Sequence, residues 1–143
     1  MLIERIIEHR EPGNILTCET GIPVREAVAL LAGKRIGALP VVENGAVVGI
    51  FSERDVIYRL ASEGEMCLSL PVGEVMTAPA ITISSREKTD DALALMSRRR
   101  IRHLPVVDDG EFVGFVSIGD IVKSRIDEVE HEAESMRAYI QTA

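Results

Sequence analysis

The stretch Leu39-Pro40-Val41-Val42-Glu43-Asn44-Gly45-Ala46-Val47-Val48-Gly49-Ile50-Phe51-Ser52-Glu53-Arg54-Asp55 returns without a gap as Leu104-Pro105-Val106-Val107-Asp108-Asp109-Gly110-Glu111-Phe112-Val113-Gly114-Phe115-Val116-Ser117-Ile118-Gly119-Asp120. The spacing holds at 65 residues, Pro40 to Pro105, and extends upstream through the identical pairs Ile36/Ile101, Leu30/Leu95 and Ala27/Ala92. A register kept through loops and core alike is internal repetition, and repetition fixes the architecture before any local motif does.

Each copy reads in the same order. Apolar residues at helical spacing, Val24, Ala27, Val28 and Leu31 or Ala92, Leu93, Leu95 and Met96, predict a first helix. The run Leu-Pro-Val-Val predicts a buried strand with its proline near the start or at an edge. Glu43-Asn44-Gly45 and Asp108-Asp109-Gly110 supply residues that tolerate positive φ, so each strand folds back as a hairpin onto Val47–Phe51 or Phe112–Val116. Ser52 and Ser117 stand where helix N-caps are expected. A short strand near Ile15–Cys18, matched at Ala80–Ile83, precedes each first helix. The fold class is α+β: two β-α-β-β-α repeats in a pseudo-twofold intramolecular pair with a C-terminal helical extension. The expected boundaries are 1–62 for the first repeat with an N-terminal helix, 63–75 for a linker, 76–125 for the second repeat and 126–143 for the extension. Two small units, each with an uncovered apolar sheet face, are expected to bury those faces against each other.

Composition narrows the function. A chain of 143 residues with 46% hydrophobic content suffices for one well-buried unit and leaves little room for a separate catalytic domain. The net charge of −7 repels polyanions and anionic membranes, so neither nucleic acid nor a membrane is expected as partner. The apolar runs fall far short of the roughly 20 residues of a membrane span. Met1 to His9 has helical amphipathic spacing rather than the layout of a secretory signal, and Cys18 and Cys67 lack CxxC spacing. A cytoplasmic protein with free thiols is expected.

Beyond Asp120 the apolar residues Val122, Ile126, Val129, Ala133, Met136 and Ile140 alternate steps of four and three, a heptad seam. It either packs back on its own domain or joins a second copy of the chain as a homodimer.

No constellation for catalysis is present in the sequence. His9, His103 and His131 lie in separate segments without metal-ligand spacing, so no metal is expected, and Ser52 and Ser117 sit in GxxS rather than GxSxG. What recurs is Gly-x-x-Ser-x-x-Asp, at Gly49–Asp55 and at Gly114–Asp120. A strand running into a helix start exposes unpaired N–H groups and the positive end of the helix dipole, which suits phosphate. An aspartate three residues on can accept hydrogen bonds from vicinal ribose hydroxyls. Singly the pattern is ordinary helix capping; its recurrence in register favours a ligand.

These motifs, with Ile36-Gly37-Ala38-Leu39-Pro40-Val41-Val42, Arg100-Ile101-Arg102-His103-Leu104-Pro105-Val106-Val107 and the opening Val75-Met76-Thr77-Ala78-Pro79, resemble a tandem pair of CBS (cystathionine β-synthase) domains from about Gly13 to Arg125. The likeness is to stand-alone bacterial and plant-organelle CBS pairs without an enzymatic domain. It implies no catalysis and a cleft for AMP, ADP, ATP, NAD or S-adenosylmethionine, AMP first among them. The family's ribose-binding aspartate falls on Asp55 and Asp120 and its phosphate-side hydroxyl on Ser52 and Ser117. The adenine-lining backbone falls on Ile36, Gly37, Ala38 and Leu39 and on Ile101, His103 and Leu104, with contacts near Thr17 and Thr82.

The copies differ around the phosphate. Arg102 and His103 stand where the first repeat has Gly37 and Ala38, and Arg54 stands against Gly119, so two unequal sites are expected. The leading reading is a sensor of energy or redox state that signals to a target enzyme or transporter. The alternative is a ligand-independent scaffold for protein interaction and dimerisation.

Overall fold

The computed structural model describes residues 1–10 and 15–142; Gly13, where the family likeness begins, and Ala143, the last residue of the extension, lie outside them. Helix α1 covers Ile3–Ile7 and is followed by strand β1 (Cys18–Glu19), helix α2 (Val24–Lys34), strands β2 (Ala38–Glu43) and β3 (Ala46–Ser52) and helix α3 (Glu53–Glu63). A 3-10 turn at Gly64–Ser69 and the one-turn helix α4 (Val72–Val75) lead to α5 (Thr89–Arg99), β4 (His103–Asp108), β5 (Glu111–Ser117) and the long helix α6 (Ile118–Thr142).

The α+β fold of paired repeats read from the sequence is the fold observed. In the first sheet β1 runs parallel to β2 and β2 antiparallel to β3; in the second, β4 pairs antiparallel with β5 in the same register, Val41↔Gly49 matching Val106↔Gly114. Both hairpins turn through two residues with positive φ, Asn44 and Gly45 at 51° and 81°, Asp109 and Gly110 at 50° and 82°. That is the conformation whose twist matches the flanking strands. The expected first strands are shorter than predicted. Pairing in the first repeat starts only at Cys18, and in the second it reduces to a single parallel bridge, Ile83↔Val106.

Three expectations are corrected. The helix at the start of the chain does not belong with the first repeat: Ile3 is fully buried in the second core, among Ile83, Ala92, Met96, Leu104, Val106, Val116 and Ile121. Residues 63–75 are more than a linker, because Cys67, Val72 and Val75 are buried in the first core with Leu39, Val41 and Phe51. The two sheets do not press one shared apolar face together. Each repeat closes its own core, α4 capping the first and α1 the second, since a short amphipathic helix is the nearest apolar cover for each exposed flank. The two caps dock alike: Val24 N–H donates to Leu70 O at 2.8 Å and Val72 N–H to Ile22 O at 2.8 Å, while Thr89 N–H donates to Met1 O at 2.9 Å and Ile3 N–H to Glu87 O at 2.9 Å. The repeats meet along β3 and β5, and the two ends of this seam open into clefts.

Candidate functional site: two clefts between the repeats

Ser52 caps α3 and Asp55 sits one turn in. The Asp55 Oδ2 accepts Ser52 N–H at 2.8 Å and the Ser52 hydroxyl at 3.1 Å, so one carboxylate oxygen serves the helix start. The other, Oδ1, faces outward and accepts Thr77 Oγ1–H at 2.8 Å. The second copy repeats the division. Asp120 Oδ2 accepts Ser117 N–H at 2.8 Å, while Asp120 N–H donates to Ser117 Oγ at 3.1 Å. Here the outward oxygen meets Arg10 Nη2 at 3.0 Å. Capping and ligand binding therefore need not compete, because a carboxylate has about four acceptor sites and the cap consumes only part of them.

Each aspartate opens onto a cleft completed by the other repeat. Asp55, Ser52, Arg54 and Tyr58 face Ala80, Ile81, Arg100, Ile101, Arg102 and His103 around a hollow of about 250 Å³. Asp120, Ser117 and Phe115 face Ile15, Leu16, Ile36, Gly37 and Ala38 around a larger one of about 770 Å³, which Ile7, His9 and Arg10 also line. The helix start of one copy thus works with the strand start of the other, as pseudo-twofold packing requires. Gly37 and His103 line both clefts and form the wall between them.

The electrostatics are unequal. Arg54, Arg100 and Arg102 crowd the smaller cleft; Arg54 Nη1 donates to Arg100 O at 3.2 Å across the repeats, and Arg102 lies 3.6 Å from Glu53. His103 stacks on Phe115 with ring centroids 5.6 Å apart. Burial first, and then the neighbouring Arg102 charge, push its pKa below the ordinary histidine value against the opposing pull of Asp120 and Glu53. Burial is also the largest influence on Asp120 and pushes its pKa up, but the Ser117 N–H and the Arg10 guanidinium together hold it below the usual carboxylate range.

Of the residues read from the sequence, Ser52, Arg54, Asp55, Ile101, Arg102 and His103 line one cleft; Ile36, Gly37, Ala38, His103, Ser117 and Asp120 line the other, Gly37 facing both. Leu39 and Leu104 point into the two cores and are fully buried. Thr17 and Thr82 line neither hollow. Their expected place is taken by Ile15 and Leu16 and by Ala80 and Ile81, one or two residues earlier, because pairing starts only at Cys18 and Ile83 and the chain passes the clefts before it enters the sheets. Arg10, Thr77, Tyr58 and Arg100 were missed. Thr77 lies two residues beyond α4 and Arg10 three beyond α1, so both fall outside the repeat register that singled out the other site residues. Among the described residues no group of three His, Cys, Asp or Glu side chains is placed to hold a metal ion, and no helix is long and apolar enough to cross a membrane.

Two βαββα units joined about a pseudo-twofold axis, with a Ser-x-x-Asp helix start opening on each cleft, define a paired-repeat module. The chain belongs to the CBS domain family: the family's model matches twice, over residues 7–62 and 72–127. It is 38% identical over 134 residues to the mitochondrial CBS domain-containing protein CBSX3 of Arabidopsis thaliana, covering 90% of this chain and 65% of that protein's length. Among solved structures, the CBS-domain containing protein ATU1752 from Agrobacterium tumefaciens superposes with a TM-score of 0.82 at 31% identity, covering 87% of this chain and 99% of that one. The CBS domain pair of protein MJ0100, solved in complex with 5-methylthioadenosine and S-adenosyl-L-methionine, does so with a TM-score of 0.77 at 30% identity, covering 90% and 98%.

Proposed function

We propose that this protein is a non-catalytic regulatory module whose two clefts bind an adenine nucleotide, AMP foremost and ATP, ADP or NAD as related ligands, and that occupancy signals energy or redox state to a target enzyme or transporter. The observation that carries the reading is the geometry of the aspartates. Each commits one oxygen to its helix start, has its other oxygen held by Thr77 or Arg10, and lines a hollow completed by the opposite repeat, through Ile36, Gly37 and Ala38 at Asp120 and through Ile101, Arg102 and His103 at Asp55. A ribose diol suits the carboxylate, a flat base suits the stretch Ile36–Ala38 or Ile101–His103, and phosphate suits Ser52 with Arg54, Arg100 and Arg102. Adenosine-type ligands in the related MJ0100 pair support the base and ribose parts of this assignment. The crowding of arginines around Asp55 makes the smaller cleft the tighter one for phosphate.

Signalling requires that the ligand bind one relative pose of the repeats, or of two chains, better than another, and the coupling cannot exceed that difference. We assign the exposed seam of α6 to a homodimer and the protein to the cytoplasm, where the free, buried Cys18 and Cys67 stay reduced. Calorimetry with AMP, ATP, NAD and S-adenosylmethionine tests the reading. At least one is expected to bind in the millimolar range or tighter, and Asp55→Asn or Asp120→Asn, which keep an oxygen for the cap, weaken its own cleft roughly tenfold or more. Absence of binding by all four overturns it.

A further inference from the structure

The clefts guard their aspartates with different chemistry. At Asp55 the outward oxygen is held by a neutral hydroxyl, Thr77 Oγ1. At Asp120 it is held by a cation: Arg10 places Nη2 3.0 Å from Oδ1 and Nη1 3.4 Å from Oδ2, and anchors itself through a 3.1 Å bond from Nη1 to the Phe115 carbonyl. A hydroxyl can rotate its hydrogen away and yield the carboxylate to a ligand. A guanidinium has no acceptor and keeps its proton. Whatever takes Asp120 from Arg10 leaves a positive charge to be paired again.

We infer that Arg10 is a specificity-determining residue of the Asp120 cleft, which makes that cleft select a ligand carrying both a vicinal diol and an anionic group, a nucleotide over its nucleoside. The inference rests on the reading of the clefts as adenine-nucleotide sites. The diol takes the place of the guanidinium on Asp120. The released guanidinium, still tethered at Phe115, turns to the phosphate, which it can pair through two parallel N–H bonds. A nucleoside performs only the first half of this exchange and strands the cation. Arg10 is free to make the move, since its side chain is 44% exposed and belongs to neither core.

Calorimetry with AMP and adenosine separates the possibilities, using the full chain in an Asp55→Asn background that weakens the smaller cleft, with folding checked by thermal melting. With Arg10 in place AMP is expected to bind at least about tenfold tighter than adenosine. In Arg10→Gln the preference collapses, AMP losing affinity while adenosine holds or gains, and in Arg10→Lys it survives in part. Equal loss for both ligands in Arg10→Gln would make Arg10 a structural support and overturn the inference while the nucleotide reading stands, as would a preference left unchanged. Failure of AMP to bind the Asp120 cleft with Arg10 intact overturns the inference, and failure of AMP, ATP, NAD and S-adenosylmethionine alike to bind the unmutated chain overturns both.

Discussion

At Gly49 a Cβ would lie 2.6 Å from the Met76 sulfur and 2.9 Å from the Thr77 carbonyl oxygen; at Gly114 the nearest atom would be the Ile7 side chain, also at 2.9 Å. The two glycines mark where the borrowed caps rest on the hairpins, but only the first faces backbone. That backbone is fixed by reciprocal bonds, Ile50 N–H to Thr77 O at 3.0 Å and Thr77 N–H to Ile50 O at 2.8 Å. Gly49→Ala is therefore expected to destabilise the protein by about 1–3 kcal/mol and Gly114→Ala by less, since the Ile7 side chain can shift, as chemical denaturation will measure. Residues of this kind were legible only in part. The repeat made Ser52, Asp55, Ser117 and Asp120 stand out because both members of each pair hold the same place in the main register. Arg10 and Thr77 did not stand out, because both lie outside the gap-free repeat, at different distances beyond the caps and with unlike side chains.

Helix α6 runs 25 residues, yet only its first turn is built into a core, through Ile121. From Val122 onward the seam lies open: Ile126, Val129, Met136 and Ile140 are all more than half exposed. The heptad was legible from its alternating steps, and in the single chain it does not pack back on its own domain. In the homodimer proposed above, two copies pair along this stripe. Ile126→Asp is expected to weaken the dimer roughly 30-fold or more while leaving the stability of the single chain within about 0.5 kcal/mol, because the residue supports no core. Sedimentation across a concentration series reads the first effect and thermal melting the second; a sedimentation profile that the substitution leaves unchanged would remove α6 from the interface.

Across the whole molecule the two repeats are alike in form but not in how the chain assembles them. The first core draws every member from one continuous stretch, Leu16 to Met76, with α4 as its last piece. The second joins Ile3, Ile6 and Ile7 to residues from Ile81 to Ile121, so it closes only when the start of the chain returns across the entire first repeat. Bringing such distant segments together adds a loop-closure cost that the first repeat avoids. Ile3 is the fully buried anchor of that return. Ile3→Ala removes its contacts in the second core and is expected to cost about 2–5 kcal/mol. The loss should be uneven: in hydrogen exchange, the amides of β4 and β5 lose protection first, while those of β2 and β3, whose core holds no residue of α1, keep most of theirs. If both sheets lose protection equally, the repeats open as one cooperative unit, and the contacts along β3 and β5 bind them more strongly than the separate cores suggest.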